Sequence, residues 1–430
     1  MRYILEDNTE SQAFFSSNML SKVIKSLDRK AYHIKNGGKM SLEDSKVLSK
    51  EICILLPFLQ SQRMPEEIKR LVDFDPKKSK LLEILLSFAL AVPNLVGDDA
   101  SPSSASWDCL RVLHCSTYEY NIDQIKIQVE NTQVHLAVGA LHSVVSSSNV
   151  VHQLSCSRFY LSCAWSNEEL IKESASMVVK NPHQLKILSK SVCSVHDAMS
   201  KSFIFLSLSP LVMDQSVRET LFAIRFGPRM LVEVCAEVLA VTVLKFGTSP
   251  EAQDVCLNCS IFLAAASINY IPAIEMFLHS IRDKPFLIGV LLSENQFGES
   301  EKVMKASCAL LLGLALRAST ACTVSPKVLE DAIKEKIGIE TFIGYLDFLY
   351  DESKRSECSI KGLRLCFGGT VSSEFLQFTI NSAKEHFRPV RIFKKIDYYY
   401  NLVLCRLSKN LRRQIIFCKC RDHNRKKLFR

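Results

Sequence analysis

A chain of 430 residues, 47% of them apolar, can fill one large core or two or three domains, which excludes an intrinsically disordered protein. The net charge of +9 is concentrated at one end: residues 388–430 hold fourteen Lys and Arg and two Asp, a balance of +12, whereas residues 1–387 carry −3. The net charge is therefore no argument for a nucleic-acid face on the folded part.

The sequence predicts neither a membrane span nor a secretory signal. Residues 230–246 are apolar but contain Glu233 and Glu237, and residues 306–318 are shorter than the roughly 18 residues that a span requires. The first ten residues turn acidic where a signal peptide has its continuous apolar stretch. We therefore expect the sixteen cysteines to be reduced, and their apolar neighbours predict that most of them are core residues.

Helix-length apolar segments separated by short turns dominate the chain, with little alternation of period two, and this pattern predicts an all-α fold. Two stretches interrupt it, residues 92–107 and residues 350–372, which are rich in polar residues and glycine and are predicted to be loops. Residues 200–209 resemble a strand in isolation, but their setting favours a buried helix.

The clearest pair of helices lies in the middle of the chain. The first is predicted to begin at Arg229 and to end at Gly247. Ser249 and Pro250 have the order of an N-cap and a first helical residue, which predicts a second helix directly after it. The predicted inward-facing residues of the second helix are Val255, Cys259, Phe262, Leu263 and Ala266.

The same helix boundaries recur further along, with Asp283 before Pro285, Ser325 before Pro326, and Gly338 as a predicted C-cap. Helices of this length with wide apolar faces bury those faces only by stacking on their neighbours. The prediction is an armadillo/HEAT-like α-solenoid with repeats of about 40 to 47 residues. A compact helical bundle remains the alternative.

No pattern of catalytic or ligand-binding residues stands out. Cys256 and Cys259 form a CxxC, but a zinc ribbon needs a second such pair, and this spacing also fits one face of a helix. His135, His142 and His152 lie in a region predicted to be helical, without a carboxylate at a suggestive spacing. The sequence also lacks a P-loop, an HExxH and a GxSxG motif.

We therefore predict no enzyme, and no catalytic, cofactor-binding or metal-binding residues. One alternative stays open, because a Cys–His nucleophile can be assembled in space from residues that are distant in sequence.

Four blocks of sequence resemble the closing repeats of the head of the general vesicular transport factor family. The blocks are residues 271–280 (IPAIEMFLHS), 284–289 (KPFLIG), 306–314 (ASCALLLGL) and 333–343 (IKEKIGIETFI). Shorter similarities are found at residues 13–15 and at residues 374–376.

The resemblance implies a peripheral membrane protein on Golgi and transport-vesicle membranes, facing the cytoplasm. It implies an armadillo-like head without enzymatic activity, which acts in vesicle tethering and fusion on the ER-to-Golgi and intra-Golgi routes. The implied partners are a Rab GTPase, SNAREs and golgins; no cofactor or nucleic acid is implied, and homodimerisation stays open. The family's head begins before the equivalent of Ala13, and its long coiled coil is replaced here by the basic segment.

The apolar blocks are expected to pack in the interior, and the partner-binding residues stay unidentified. The residues expected inside are Phe277, Leu278, Phe286, Leu287, Leu311 and Leu312.

The predicted organisation is a solenoid over residues 1–350, a loop over 351–372, a terminal helix over 373–387 and a poorly ordered basic tail over 388–430. Two other functions remain as alternatives. One is an armadillo-type adaptor unrelated to membrane traffic, for example nuclear, with the tail as an address signal. The other is an RNA-binding protein that works through the tail.

Overall fold

The computed structural model describes most of the chain up to Lys384. The described residues are 17–38, 40–60, 80–90, 102–114, 122–129, 131–165, 167–247, 249–267, 270–282, 299–318, 327–358, 380–381 and 383–384. The α-helices are α1 (Ser17–Lys35), α2 (Leu42–Gln60), α3 (Lys80–Ala89), α4 (Pro102–His114), α5 (Leu136–Ser146), α6 (Val150–Ala164), α7 (Glu168–Lys180), α8 (Val195–Met213), α9 (Gln215–Ala223), α10 (Leu231–Phe246), α11 (Pro250–Ser267), α12 (Ile271–Arg282), α13 (Glu299–Ala318), α14 (Lys327–Ala332) and α15 (Ile339–Cys358).

Shorter elements connect these helices. The 3₁₀ helices are Ile122–Gln124 and Pro182–Ser189, and a π-helix is formed by Ile333–Ile337. The strands form two antiparallel hairpins, β1 (Lys126–Val129) with β2 (Thr132–His135) and β3 (Arg225–Phe226) with β4 (Arg229–Met230).

The described part of the chain is an all-α solenoid, as predicted. Seven helices pack on one another in succession, in the order α2, α4, α6, α8, α11, α13 and α15. We call them the central row. Other helices flank this row, with α3 against α4, α5 against α6, α10 against α11 and α12 against α13. The chain thus adds one central-row helix and one or more flanking helices at each step along the stack.

The inner helices of the central row, α4, α6, α8, α11 and α13, are buried on most sides, whereas α2 and α15 at its ends each have an exposed face. Residues 255–266 of α11 are all buried, as are residues 198–212 of α8. A helix that is apolar around its whole circumference has no solvent face, so it is stable only between neighbours. Burying one large apolar side chain contributes about 1.5–3 kcal/mol. Two aromatic pairs join central-row helices, Trp107 with Phe159 at 5.0 Å and Phe205 with Phe262 at 5.2 Å between ring centroids.

Buried polar side chains connect three helices of the central row. Ser207 of α8 donates a 2.8 Å hydrogen bond to the hydroxyl oxygen of Ser157 on α6. Asn258 of α11 donates one of 3.2 Å to Ser202 on α8. Because a buried polar group without a partner is costly, each bond favours one longitudinal alignment of its two helices.

Several predicted helix ends are confirmed. Gly247 has φ +63° at the end of α10, and Gly338 has φ +83° after the π-helix, a conformation that glycine adopts without strain. Ser249 accepts a 3.2 Å bond from the backbone N–H of Ala252, and Pro250 is the first residue of α11. The predicted boundaries at Asp283 and Ser325 lie outside the described residues.

The predicted interior is confirmed where it is described. The five predicted residues of α11 are buried, and so are Phe277, Leu278, Leu311 and Leu312. Phe286 and Leu287 lie outside the described residues. Residues 200–209 belong to the buried helix α8 rather than to a strand.

Three local predictions are corrected. The helix expected from Arg229 begins at Leu231, because Arg229 and Met230 pair with β3. The first predicted loop, residues 92–107, contains the start of α4, where Pro102 occupies the first helical position. The first part of the second predicted loop, residues 350–372, belongs to α15, which continues to Cys358, and the rest of that stretch lies outside the described residues.

A short piece of the predicted terminal helix packs on the end of the central row. Ile380 and Ala383 are buried, and Lys384 forms an ion pair with Asp347 on α15. The Lys384 ammonium also lies 5.3 Å from the ring centroid of Tyr350. The basic segment 388–430 lies outside the described residues. No described helix is both long enough and apolar enough to cross a bilayer.

Candidate functional site

The cysteines of the described residues are mostly core residues, as predicted. Seven of them are buried: Cys109, Cys156, Cys163, Cys235, Cys256, Cys259 and Cys308. The exceptions among the described cysteines are Cys53, which is half-buried, and Cys193, which is exposed. The CxxC pair Cys256 and Cys259 lies inside α11, where burial raises the pKa of the Cys256 thiol well above its ordinary value. This environment favours the protonated thiol over the thiolate that binds metal.

The structure brings one cysteine and one histidine together in the core. The Sγ atom of Cys156 and the Nε2 atom of His152 lie 3.4 Å apart, one turn from each other on α6. Burial lowers the pKa of His152 to about 4 and raises the pKa of Cys156 well above its ordinary value. Both groups are therefore neutral at pH 7, and the pair lacks the thiolate that a cysteine nucleophile requires.

A charged cluster at one end of α8 has a structural role. The Lys201 ammonium donates to the backbone carbonyl of Lys190, and burial lowers its pKa. Arg229 pairs with Glu237 and donates a 3.4 Å bond to the carbonyl of Ser189. These contacts attach the second 3₁₀ helix to α8 and α10, so the cluster's charged groups are engaged with the protein.

The hairpin β1–β2 packs on α5 through a glycine. A Cβ atom added to Gly139 would lie 2.3 Å from the Cδ1 atom of Ile127, so the Ile127 side chain occupies the space that a larger residue at this position would need. Val129 also contacts this position. Asn131, in the turn of the hairpin, has φ +66°, a conformation that asparagine tolerates better than most residues.

His135, at the end of β2, is held by a carboxylate from α7. Its ring Nδ1 pairs with Glu173 of α7, and its backbone N–H donates a 3.2 Å bond to the same carboxylate. No spacing in the sequence indicates this partner, because 38 residues separate the two positions. His135 was also predicted to be helical, and this is corrected by its position in β2.

The backbone bonds around His135 define which edge of β2 is open. The N–H of Leu136 donates to the carbonyl of Ile125, on the β1 side, whereas the N–H of His135 points away from β1 towards Glu173. Backbone groups alternate in direction along a strand. The N–H and C=O of Gln133, two residues before His135, therefore also point away from β1.

This open edge faces a cleft of about 460 Å³ between the hairpin and α7, which we call the hairpin cleft. Val129 of β1 and Thr132, Gln133 and Val134 of β2 line it on the hairpin side, and His142 of α5 also contributes. On the opposite side of the cleft, α7 contributes Glu173 from its middle and Lys180 from its last turn. Ser176 and Met177 of the same helix also line the cleft. Its volume is within the range of clefts that bind ligands.

Comparison with known proteins finds similarity over part of the chain. No protein-family model matches it. A stretch of 91 residues is 35% identical to the protein described as "General vesicular transport factor p115" from Bos taurus. The match covers 21% of this chain and 9% of the bovine protein, far less than two thirds of the relative's length. The chain is thus similar to one segment of a vesicular transport factor, which indicates a relationship to vesicle transport.

Proposed function

We propose that this chain is a non-enzymatic adaptor of vesicle transport, which binds protein partners through a helical-repeat surface. The observation that carries the proposal is the similarity of 91 residues to a general vesicular transport factor. The partners we propose are a Rab GTPase and SNARE-type proteins at Golgi and transport-vesicle membranes, on the ER-to-Golgi and intra-Golgi routes. Residues 1–350 would form the interaction domain, and residues 388–430 a separate basic tail.

The chemistry of the described core supports a binding role. Stacked helices bury their apolar faces against each other and leave an extended exterior for docking. The His152–Cys156 pair is neutral, and the charged groups at Lys201 and Arg229 are engaged by the protein. The hairpin cleft adds an open strand edge to this exterior.

Two binding measurements test the proposal. The purified chain is mixed with Golgi membranes and sedimented, and separately passed over immobilised Rab GTPases of the early secretory route, loaded with a GTP analogue or with GDP. We expect co-sedimentation and a preference for the GTP form. Absence of both would contradict the proposal, and equal binding to both nucleotide states would contradict the Rab assignment.

The concentration of charge in the tail favours a second candidate, an adaptor that acts in the nucleus. Residues 388–430 carry +12, and basic clusters of this kind serve as nuclear address signals. A fluorescently tagged chain is imaged with and without these residues. Nuclear accumulation that is lost on truncation would support the nuclear adaptor, whereas Golgi localisation of both forms would support the traffic role.

A further inference from the structure

We propose that the hairpin cleft binds an extended, acidic peptide segment of a protein partner, which adds to β2 as a third strand. This inference rests on the proposed function only in its claim that the chain binds proteins. It specifies where one partner docks and what chemical form the docking segment takes.

The first argument is the direction of the backbone. In the register of the hairpin, Gln133 is opposite Gln128, and Val134 is opposite Ile127. The bonds of His135 and Leu136 show that odd-numbered residues of β2 direct their N–H and C=O groups outwards. An extended peptide satisfies such groups by pairing with the strand edge, whereas a helix or a small anion cannot match their spacing.

The second argument is the space beside that edge. The hairpin cleft lies between the tip of the hairpin, where Val129, Thr132 and Gln133 line it, and α7, and His142 of α5 is also part of its lining. A neighbouring strand lies about 4.7–4.9 Å from the strand with which it pairs, so the added peptide would run along the cleft between β2 and α7. Thr132 and Val134 direct their backbone groups towards β1, and the N–H of His135 is engaged by Glu173, so the peptide would pair with β2 through the N–H and C=O of Gln133.

The third argument is the charge of the lining. The carboxylate of Glu173 is engaged by both the ring and the backbone N–H of His135. Lys180, on the last turn of α7, has no ion-pair partner among the described residues and is exposed at the cleft. A carboxylate on the peptide would complement this ammonium, which favours an acidic segment over a basic one.

The test begins with the full 430-residue chain and a phage-displayed library of random short peptides. We expect the chain to select peptides enriched in Asp or Glu. One selected peptide is then synthesised with a fluorophore, and its Kd is measured by polarisation for the unmodified protein and for two variants. Selection of no peptide, or of peptides without acidic enrichment, would overturn the proposal.

The two variants differ only in the edge that they alter. Gln133→Pro removes the outward N–H of β2 without removing a bond between β1 and β2, and edge strands tolerate proline. We expect it to raise the Kd about tenfold. Gln128→Pro makes the same change at the opposite residue, on the outer edge of β1, and should leave the Kd unchanged. Equal weakening by both variants would contradict the assigned edge.

A second measurement does not depend on how the variants fold. Each residue of the selected peptide is N-methylated in turn, which removes one backbone donor at a time. Because Gln133 is the outward-facing residue of β2 that Glu173 does not engage, one peptide N–H should pair with its carbonyl, and N-methylation should weaken binding at that position alone. Uniform sensitivity, or none, would overturn strand addition. Failure of the proposed function has a different signature, namely loss of membrane and Rab binding while peptide binding persists.

Discussion

Gly313 of α13 lies directly against Ala383 of the terminal segment. A Cβ atom at position 313 would come within 2.6 Å of the Cβ atom of Ala383, and within 3.1 Å of its Cα and carbonyl oxygen. Two of these three atoms belong to the backbone, so a side chain at Gly313 would have to displace the segment itself. The absence of a side chain at this one position lets the terminal segment pack on the central row.

The first prediction concerns this contact. We expect Gly313→Ala to lower the free energy of unfolding by about 1–3 kcal/mol, although alanine favours the helix, because the terminal segment must move. Hydrogen exchange at Ile380 and Ala383 should become faster. Gly344→Ala on α15 is the matched control, since nothing lies within 4 Å of the added Cβ atom, and it should stabilise by up to about 1 kcal/mol. Equal effects of both changes in urea denaturation would refute the prediction.

The second prediction concerns the bond between Ser207 and Ser157. Ser157→Ala removes the acceptor and leaves the buried hydroxyl of Ser207 without it, so we expect a loss of about 1–3 kcal/mol in the free energy of unfolding. The double variant Ser157→Ala/Ser207→Ala should cost less than the sum of the two single changes, because no buried hydroxyl is left at either position. Additive losses in a double-mutant cycle would show that the bond does not couple α6 and α8.

The third prediction concerns stability at acidic pH. Burial lowers the pKa of His152 from 6.5 to about 4, so between these values the unfolded chain binds more protons at this residue than the folded protein does. Stability should therefore fall as the pH drops from 6.5 towards 4, by up to about 3 kcal/mol from this residue. Urea denaturation of His152→Leu across this range should show a shallower dependence on pH. Identical pH profiles for the two proteins would exclude His152 as the cause.

The fourth prediction concerns thiol labelling. Cys193 is exposed, whereas Cys156, Cys235 and Cys256 are buried with a raised pKa. In the folded protein, N-ethylmaleimide should label Cys193 rapidly and leave the three buried thiols unmodified until urea is added. Peptide mass spectrometry gives the rate at each site. Fast native labelling of any of the three would mean that the packed helices around it open easily.

Local chemistry was sufficient to predict many helix ends and much of the core. The serine and proline that begin α11, and the glycine that ends α10, act through hydrogen bonds and φ angles that involve only near neighbours in sequence. Burial of Phe262 and Leu263 follows from the periodicity of α11 alone.

The hairpin cleft could not be predicted in the same way. The alternation of Ile127 and Val129 with polar residues, followed by Asn131, was a usable hairpin signal, but it extends over only four residues of β1. The pairing of His135 with Glu173 depends on how α7 packs beside α5, which no spacing in the sequence encodes.

The turn of the second hairpin offers a place to attach a reporter. Gly227 and Pro228 are both exposed, and they lie in the part of the chain that leaves the central row between α8 and α11. The helices α8 and α11 pack directly on each other. The segment of chain that connects them therefore starts and ends at neighbouring helices. A fluorescent domain inserted at this turn would lengthen the connecting segment without separating α8 from α11. It would also leave β1, β2 and both chain ends unaltered.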